Sequence, residues 1–300
     1  MDKEFLRLFL DKTHFPPEAA RFLLEAGEKL ASPELALKMD QAEGVFRGHD
    51  FSIEKTQPLV EQMAKEAGIS PYTQWTLFLI HAAKRAREDY LAKGIGEEIF
   101  WDTFEDLKYK ALECKAVHGV WGTFVAFWYP IFYSCSIVKL GRLEYESGGF
   151  HGKPCQACGI SLATGDPVKH IHIPSSGEAF HREARLESYR RAHGFFRGER
   201  EDGKLVCVCH SWLLYPGYRD ILPENSNIRS FMDDFTILQV DEEGFEDAWR
   251  VFGPDAEKAA RELPENTSMQ RAFKRHLMAG GKTGCALGLL VFDGEKLVRE

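Results

Sequence analysis

The chain of 300 residues is poor in the features that would place it outside a reducing compartment or on a charged polymer. It has seven cysteines, an odd number, spread from Cys114 to Cys285. That is no dense disulfide framework of the kind small secreted domains use. Positive charge is also scarce: Lys and Arg number 38 against 46 Asp and Glu, a net charge of -8. Such a chain has no general grip on nucleic acid phosphates or on an anionic membrane. The most apolar stretch, Val120 to Val138, is interrupted by Gly122, Thr123, Pro130, Ser134 and Ser136. It reads as a buried helix broken at Pro130, without the basic flanks of a membrane span. The first residues, MDKEFLRLFLDKTHFPPE, carry acidic groups on both sides of a short apolar patch, which is wrong for a secretory signal. A cytoplasmic protein with neither nucleic acid nor membrane as partner is expected. Internal repeats and low-complexity tracts are lacking.

What the chain does have divides near Leu140. Residues 1 to 138 read as helices. Phe5, Leu6, Phe9 and Leu10 make one apolar face, Pro16 and Pro17 open the next helix where a missing N–H costs nothing, and Pro33 opens a short turn. Gly44 to Phe51 reads as a break, and helical patterns cover 54–67, 71–93 and 97–117, with Ser70 as a cap before Pro71. From Leu140 the period changes from helical to alternating. Leu140 to Tyr145 predicts a strand, followed by a loop or hairpin to Gly165. Val168, His170 and His172 alternate with Lys169, Ile171 and Ile173, the pattern of a strand that ends at Pro174. Leu186, Tyr189, His193 and Phe196 form a helical stripe, Leu205 to Leu214 a buried strand, and Ile228 to Phe235 a short helix capped by Asn225, Ser226 or Asn227. Phe235 to Val240 predicts a strand paired with Phe245 to Phe252. Residues 254 to 279 read as two helical pieces, and Cys285 to Phe292 as a last strand. The fold class is therefore α+β: a helical domain over 1–138 and a mixed-sheet domain over 139–300.

The segments RLEYES, HIP, the helix ending in GFF, SWLLYP and SNIRSF, in this order, resemble a bacterial family of two-domain acyltransferases. Their C-terminal half has the fold of the GCN5-related N-acetyltransferases (GNAT), and the resemblance is carried by Leu140 to Asp241. It implies an acyl group moved from a thioester, acyl-CoA or acetyl-CoA as co-substrate, to an amine or similar nucleophile by direct attack. It also implies that the strand-to-helix loop Ser175, Ser176, Gly177 holds the pyrophosphate of coenzyme A with its N–H groups. Asn227 matches the asparagine that touches the pantetheine arm. Two features depart from the family pattern. Gly177 is alone where two spaced glycines are usual, and residues 228 to 235 lack the tyrosine that protonates the departing thiolate. Tyr215 is the nearest substitute.

Direct attack of an amine needs a base for its proton and donors for the oxyanion. His172 and His210, at the ends of two strands that border the thioester in such a fold, are the candidate bases. Ser211 is a candidate for orienting the substrate. Cys155 and Cys158, with His170 and His172 downstream, raise a structural zinc site, but only one half has ligand spacing, so no metal is assigned. The bland reading there is a loop with two exposed thiols. Cys207 and Cys209 share a face of a buried strand and read as core residues. Gly280-Gly281-Lys282-Thr283 lacks the earlier glycine of a phosphate-binding loop and reads as a turn. Beside acyl transfer stand two other expectations: a GNAT-like module that binds a ligand or regulates without catalysis, and a zinc-stabilised binding protein.

Overall fold

Ser, Asp and Thr residues that cap helices set most of the boundaries in the computed structural model, which describes residues 1–199, 202–242 and 244–299. Asp2, Ser32, Ser52 and Ser70 each accept a hydrogen bond from a first-turn N–H, satisfying donors that a helix start leaves without partners. The helices are α1 (Lys3–Lys12), α2 (Pro17–Lys29), α3 (Pro33–Gly48), α4 (Ile53–Ala67), α5 (Pro71–Ala92), α6 (Glu97–Phe104), α7 (Asp106–His118) and α8 (Pro130–Tyr133). The chain divides into two units, Met1–Lys139 with Pro174–Ser176, and Leu140–Ile173 with Gly177–Glu300.

In the first unit α5 is the centre. Residues Thr73 to Ile80 are buried without interruption, followed by Ala82, Ala83, Ala86 and Tyr90. A helix buried all round must be covered all round, and α5 packs against α1, α2, α3, α4, α6, α7 and α8. Two expectations fail here. Pro33 opens a helix of 16 residues that runs through Gly44, and the break comes at His49 to Ser52. The stretch from Val120 to Val138 is not a helix broken once. Gly122 lies against the backbone of Tyr72 and Thr73, Thr123 N–H bonds to Tyr72 O, and only a 3-10 turn at Ala126–Trp128 and α8 are helical. Close docking on α5 replaces regular structure. Among the described residues no helix is long and apolar enough to cross a membrane.

The second unit is built on a mixed sheet. Its strands are β1 (Ile137–Leu140), within which the unit boundary falls, β2 (Leu143–Gly149), β5 (Pro167–His172), β6 (Leu205–Ser211), β7 (Thr236–Glu242) and β8 (Gly284–Phe292), in spatial order β1-β2-β5-β6-β8-β7. The hairpin β3 (Cys155–Ala157) and β4 (Ile160–Leu162) packs on one face, where Phe150, Leu162, Val168, Val206, Val208, Leu289 and Val291 are buried together. Each such side chain contributes about 1.5–3 kcal/mol by leaving water. The loop with exposed thiols expected at Cys155 and Cys158 is thus a hairpin. Cys158, at its turn, is buried and contacts Thr236, while Cys155 is half-buried. Cys207 and Cys209 are core, as read, and burial pushes the Cys209 thiol up to about 12.

Helix α9 (Arg182–Phe195) follows β5, and its buried stripe is Arg185, Ser188, Tyr189 and Ala192. The expected apolar stripe through Leu186 is displaced by one position, because charged and hydroxyl groups find partners in the interior. Arg185, fully buried, donates to Asp234 (2.7 Å), to Ser230 (2.9 Å) and to the carbonyl of Phe180 (2.9 Å). Tyr189 donates to the same Asp234 carboxylate at 2.9 Å. Ser230 lies on the short helix α10 (Asn227–Met232). Phe245 to Phe252 does not form the strand expected. It contains α11 (Ala248–Phe252), whose Val251 and Phe252 join Trp212, Tyr218 and Phe273 in a second apolar cluster. The first helical piece expected after residue 254 consists of 3-10 turns, and α12 (Ser268–Met278) carries a capping box from Thr267 to Gln270.

Candidate functional site

Strand register decides which side chains meet. β2 runs antiparallel to β5 with Glu144 opposite His172 and Glu146 opposite His170. These four residues therefore share one face of the sheet. β5 pairs in parallel with β6 at Lys169↔Cys207 and His170↔Val208, and both strands run on beyond those pairs. Counting two residues further places His172 and His210 at equivalent positions on the same face. Sequence reasoning proposed both histidines, and the fold sets them on neighbouring strands.

Each histidine has a carboxylate partner. His172 Nε2 lies 2.8 Å from Glu146 Oε2, with both side chains about one quarter exposed. The hydrogen bond with His172 is the main cause holding the Glu146 carboxyl below its ordinary range, against the opposing effect of burial. The ionised carboxylate thus accepts the Nε2–H of His172 and orients its ring. His210 Nε2 lies 3.3 Å from Asp241 Oδ2, and its side chain is more than half exposed. Asp241 is lowered chiefly by a hydrogen bond from Gln239, which outweighs the opposing effect of burial, with a smaller contribution from His210. His170 is set differently. Burial lowers its pKa, its Nε2 donates to Gly149 O at 3.0 Å, and its ring lies beside His151. Neither Glu146 nor Asp241 was singled out from the sequence. The alternation in Leu143-Glu144-Tyr145-Glu146 was a usable signal for the first; nothing local pointed to the second.

Ser211 Oγ accepts the N–H of Leu213 at 3.1 Å and so caps the turn Trp212–Leu214. Tyr215 is buried, with its ring 4.9 Å from that of Tyr218. The Ser175-Ser176-Gly177 loop has no regular structure. Gly177 sits at φ +72° with open space about it, a left-handed conformation suited to glycine. The helix begins only at Arg182, where His181 Nδ1 accepts from Ala184 N–H and also meets the Glu183 carboxylate at 3.2 Å. An anion at that helix start would face the Glu183 carboxylate. Asn227 is exposed at the first position of α10, capped not by itself but by Ser226. Among the described residues, no group of three or more His, Cys, Asp or Glu side chains is placed to hold a metal ion.

Comparison with known proteins gives two family matches and a set of solved structures. The N-acyltransferase N-terminal domain matches residues 4–135 and the GNAT-like C-terminal domain residues 137–290. Among solved structures, an acyltransferase in complex with decanoyl-CoA and teicoplanin is similar at 21% identity and a TM-score of 0.71, over 94% of this chain and 86% of that one. A variant acyltransferase with octanoyl-CoA is similar at 21% identity and a TM-score of 0.72, over 95% and 87%. An acyltransferase with CoA and 10C-teicoplanin is similar at 21% identity and a TM-score of 0.64, over 96% and 99%. No curated protein matches the chain.

Proposed function

The chain belongs to the family defined by a GNAT-like C-terminal domain behind an N-acyltransferase N-terminal domain, and on that premise we propose that it transfers an acyl group from acyl-CoA to an amine with His172 as the base. The observation that carries this reading is the His172–Glu146 pair at the end of β5, where the strand runs on past its last parallel pair with β6. The acceptor amine loses its proton to His172 as its nitrogen attacks the thioester carbonyl. Glu146 fixes the tautomer and stabilises the imidazolium that forms. The oxyanion is met by main-chain N–H groups on the β6 edge beyond Val208, where the parallel ladder with β5 has ended. The loop through Gly177 takes the pyrophosphate, Asn227 the pantetheine arm, and Ser211 acts through the turn it caps, not as a nucleophile. The solved relatives hold octanoyl and decanoyl donors, which supports a medium-chain acyl group, and the teicoplanin of one of them is the first acceptor to try.

The test is mass-spectrometric detection of acylated product from decanoyl-, octanoyl- and acetyl-CoA with teicoplanin and a panel of simple amines. Product that falls by about 10²–10⁴-fold in His172→Asn supports the assignment. If CoA thioesters stabilise the chain against unfolding but no acceptor is turned over, the chain is a binding module and the reading fails.

A further inference from the structure

The departing thiolate needs a proton, and the helix that supplies a tyrosine in related folds offers none here. Within α10 (Asn227–Met232) the hydroxyl of Ser230 already accepts from Arg185. Tyr215, the substitute suggested by sequence, is packed against Tyr218. Tyr218 is no better: burial pushes its phenol up to about 12 and its oxygen accepts the N–H of Gly284. We propose that His210, backed by Asp241, is the acid that protonates the leaving sulfur. The site then works with two histidine–carboxylate pairs, one on each of two neighbouring strands. This rests on the acyl-transfer reading above.

The strongest support is a bulge in β7. Thr236 faces Leu289 and Ile237 faces Gly288, but the next partner of Leu287 is Gln239, so Leu238 is an extra residue. One inserted residue reverses the facing of all that follow. Without it, Leu238 and Val240 would share the face of Leu287, and Asp241 would point to the opposite side. With it, Gln239 and Asp241 stand on the face of Leu287, whose partner on β6 is His210. The result is the contact of His210 Nε2 with Asp241 Oδ2 at 3.3 Å, while Gln239 Nε2 holds the other carboxylate oxygen at 2.7 Å. Counted on from the last parallel pair, His210 holds the position on β6 equivalent to His172 on β5, and the bulge gives it a carboxylate. Being more than half exposed, His210 can recover a proton from solvent between turnovers.

The step balances. The acceptor nitrogen forms its bond to the carbonyl carbon and passes one proton to His172. The tetrahedral intermediate collapses, the C–S bond breaks, and the sulfur takes the proton from His210 Nδ1 as Asp241 keeps Nε2–H. His172 then loses a proton to water and His210 gains one. The net change is amine N–H plus thioester to amide plus thiol.

The test compares His210→Asn, Asp241→Asn and His172→Asn in the full chain with two donors: octanoyl-CoA, and an octanoyl thioester of an electron-poor aryl thiol whose thiolate departs without a proton. His210→Asn should slow transfer from octanoyl-CoA about 10²-fold or more, abolish the loss of rate at high pH that marks an essential acid, and recover to within about threefold of the unchanged chain with the aryl donor. Asp241→Asn should show the same pattern more weakly. His172→Asn should be slow with both donors. A His210→Asn defect that is equal for both donors, or absent, overturns the assignment of the acid while leaving His172 as base intact. Failure of the unchanged chain to transfer from octanoyl-CoA overturns the reading and the inference together.

Discussion

Replacing Asp234 with alanine should be among the most damaging single changes in the sheet-bearing unit. Asp234 is 6% exposed and Arg185 0%. The guanidinium is ionised under all relevant conditions, so removing the carboxylate leaves a buried cation with no anionic partner among the described residues, held by the Phe180 carbonyl, the Ser230 hydroxyl and the faces of the Phe180 and Phe231 rings. The Tyr189 hydroxyl loses its acceptor as well. Breaking a buried ion pair from one side costs about 3–5 kcal/mol. At roughly 2–4 °C per kcal/mol for a unit of this size, the melting temperature should fall by about 6–20 °C. Urea unfolding followed by circular dichroism gives the free energy directly, with the slope checked for an unchanged exposed surface. Asp234→Asn, which keeps an acceptor, should lose less. The double variant Arg185→Met with Asp234→Leu should recover stability relative to Asp234→Ala, because the uncompensated charge is gone. A loss below about 1 kcal/mol for Asp234→Ala, or no recovery in the double variant, would refute the claim that this pair is dry and electrostatically coupled. The same pair bears on function. Arg185 ties the end of the loop that contains Gly177 to the helix that begins at Asn227, so Ser230→Ala, a milder cut, should weaken CoA binding more than it lowers stability.

Acid should loosen the helical unit through Glu105. Burial raises the pKa of its carboxyl, but hydrogen bonds from Lys108 and Tyr109 and the charge of Lys139 outweigh that and hold it at about 2. A depressed carboxyl contributes stability above its unfolded pKa and loses it as pH falls through the folded value. The loss should therefore run from about pH 4.5 down to pH 2 and amount to roughly 2–3 kcal/mol, and Glu105→Gln should flatten that part of a stability-against-pH curve. Gly122→Ala should destabilise by about 1–3 kcal/mol, since a Cβ there would lie 2.4 Å from the carbonyl carbon of Tyr72. Gly44→Ala, within α3 and with open space around it, should instead stabilise by about 0.5–1 kcal/mol. Thermal unfolding of the two variants side by side checks both signs.

Much of the scaffold was legible in the residues themselves. The helix cap at Ser70, the alternation through Val168 to His172 and the apolar run from Cys285 to Phe292 are local signals, and local signals survive into the fold because they act over a few residues. The same locality explains the failures. Val120 to Val138 is apolar enough for a helix, yet Gly122 fits where only a missing Cβ lets the chain lie on Tyr72. The stripe on α9 was displaced because Arg185 is buried, and burial of an arginine depends on partners that lie 45 and 49 positions away.

The candidate site divides in the same way. His172 and His210 could be named from the sequence because each lies towards the end of a run read as a strand and acyl transfer needs a base. Their carboxylates could not be assigned, since Glu146 stands 26 positions from His172 and Asp241 31 positions from His210. Strand pairing brings the first pair together. The second depends on one extra residue in β7, which turns Asp241 from one face of the sheet to the other. A sequence states which residues alternate. Which carboxylate faces which imidazole is a matter of register, and register is set by the free energy of the whole sheet and its two covered faces.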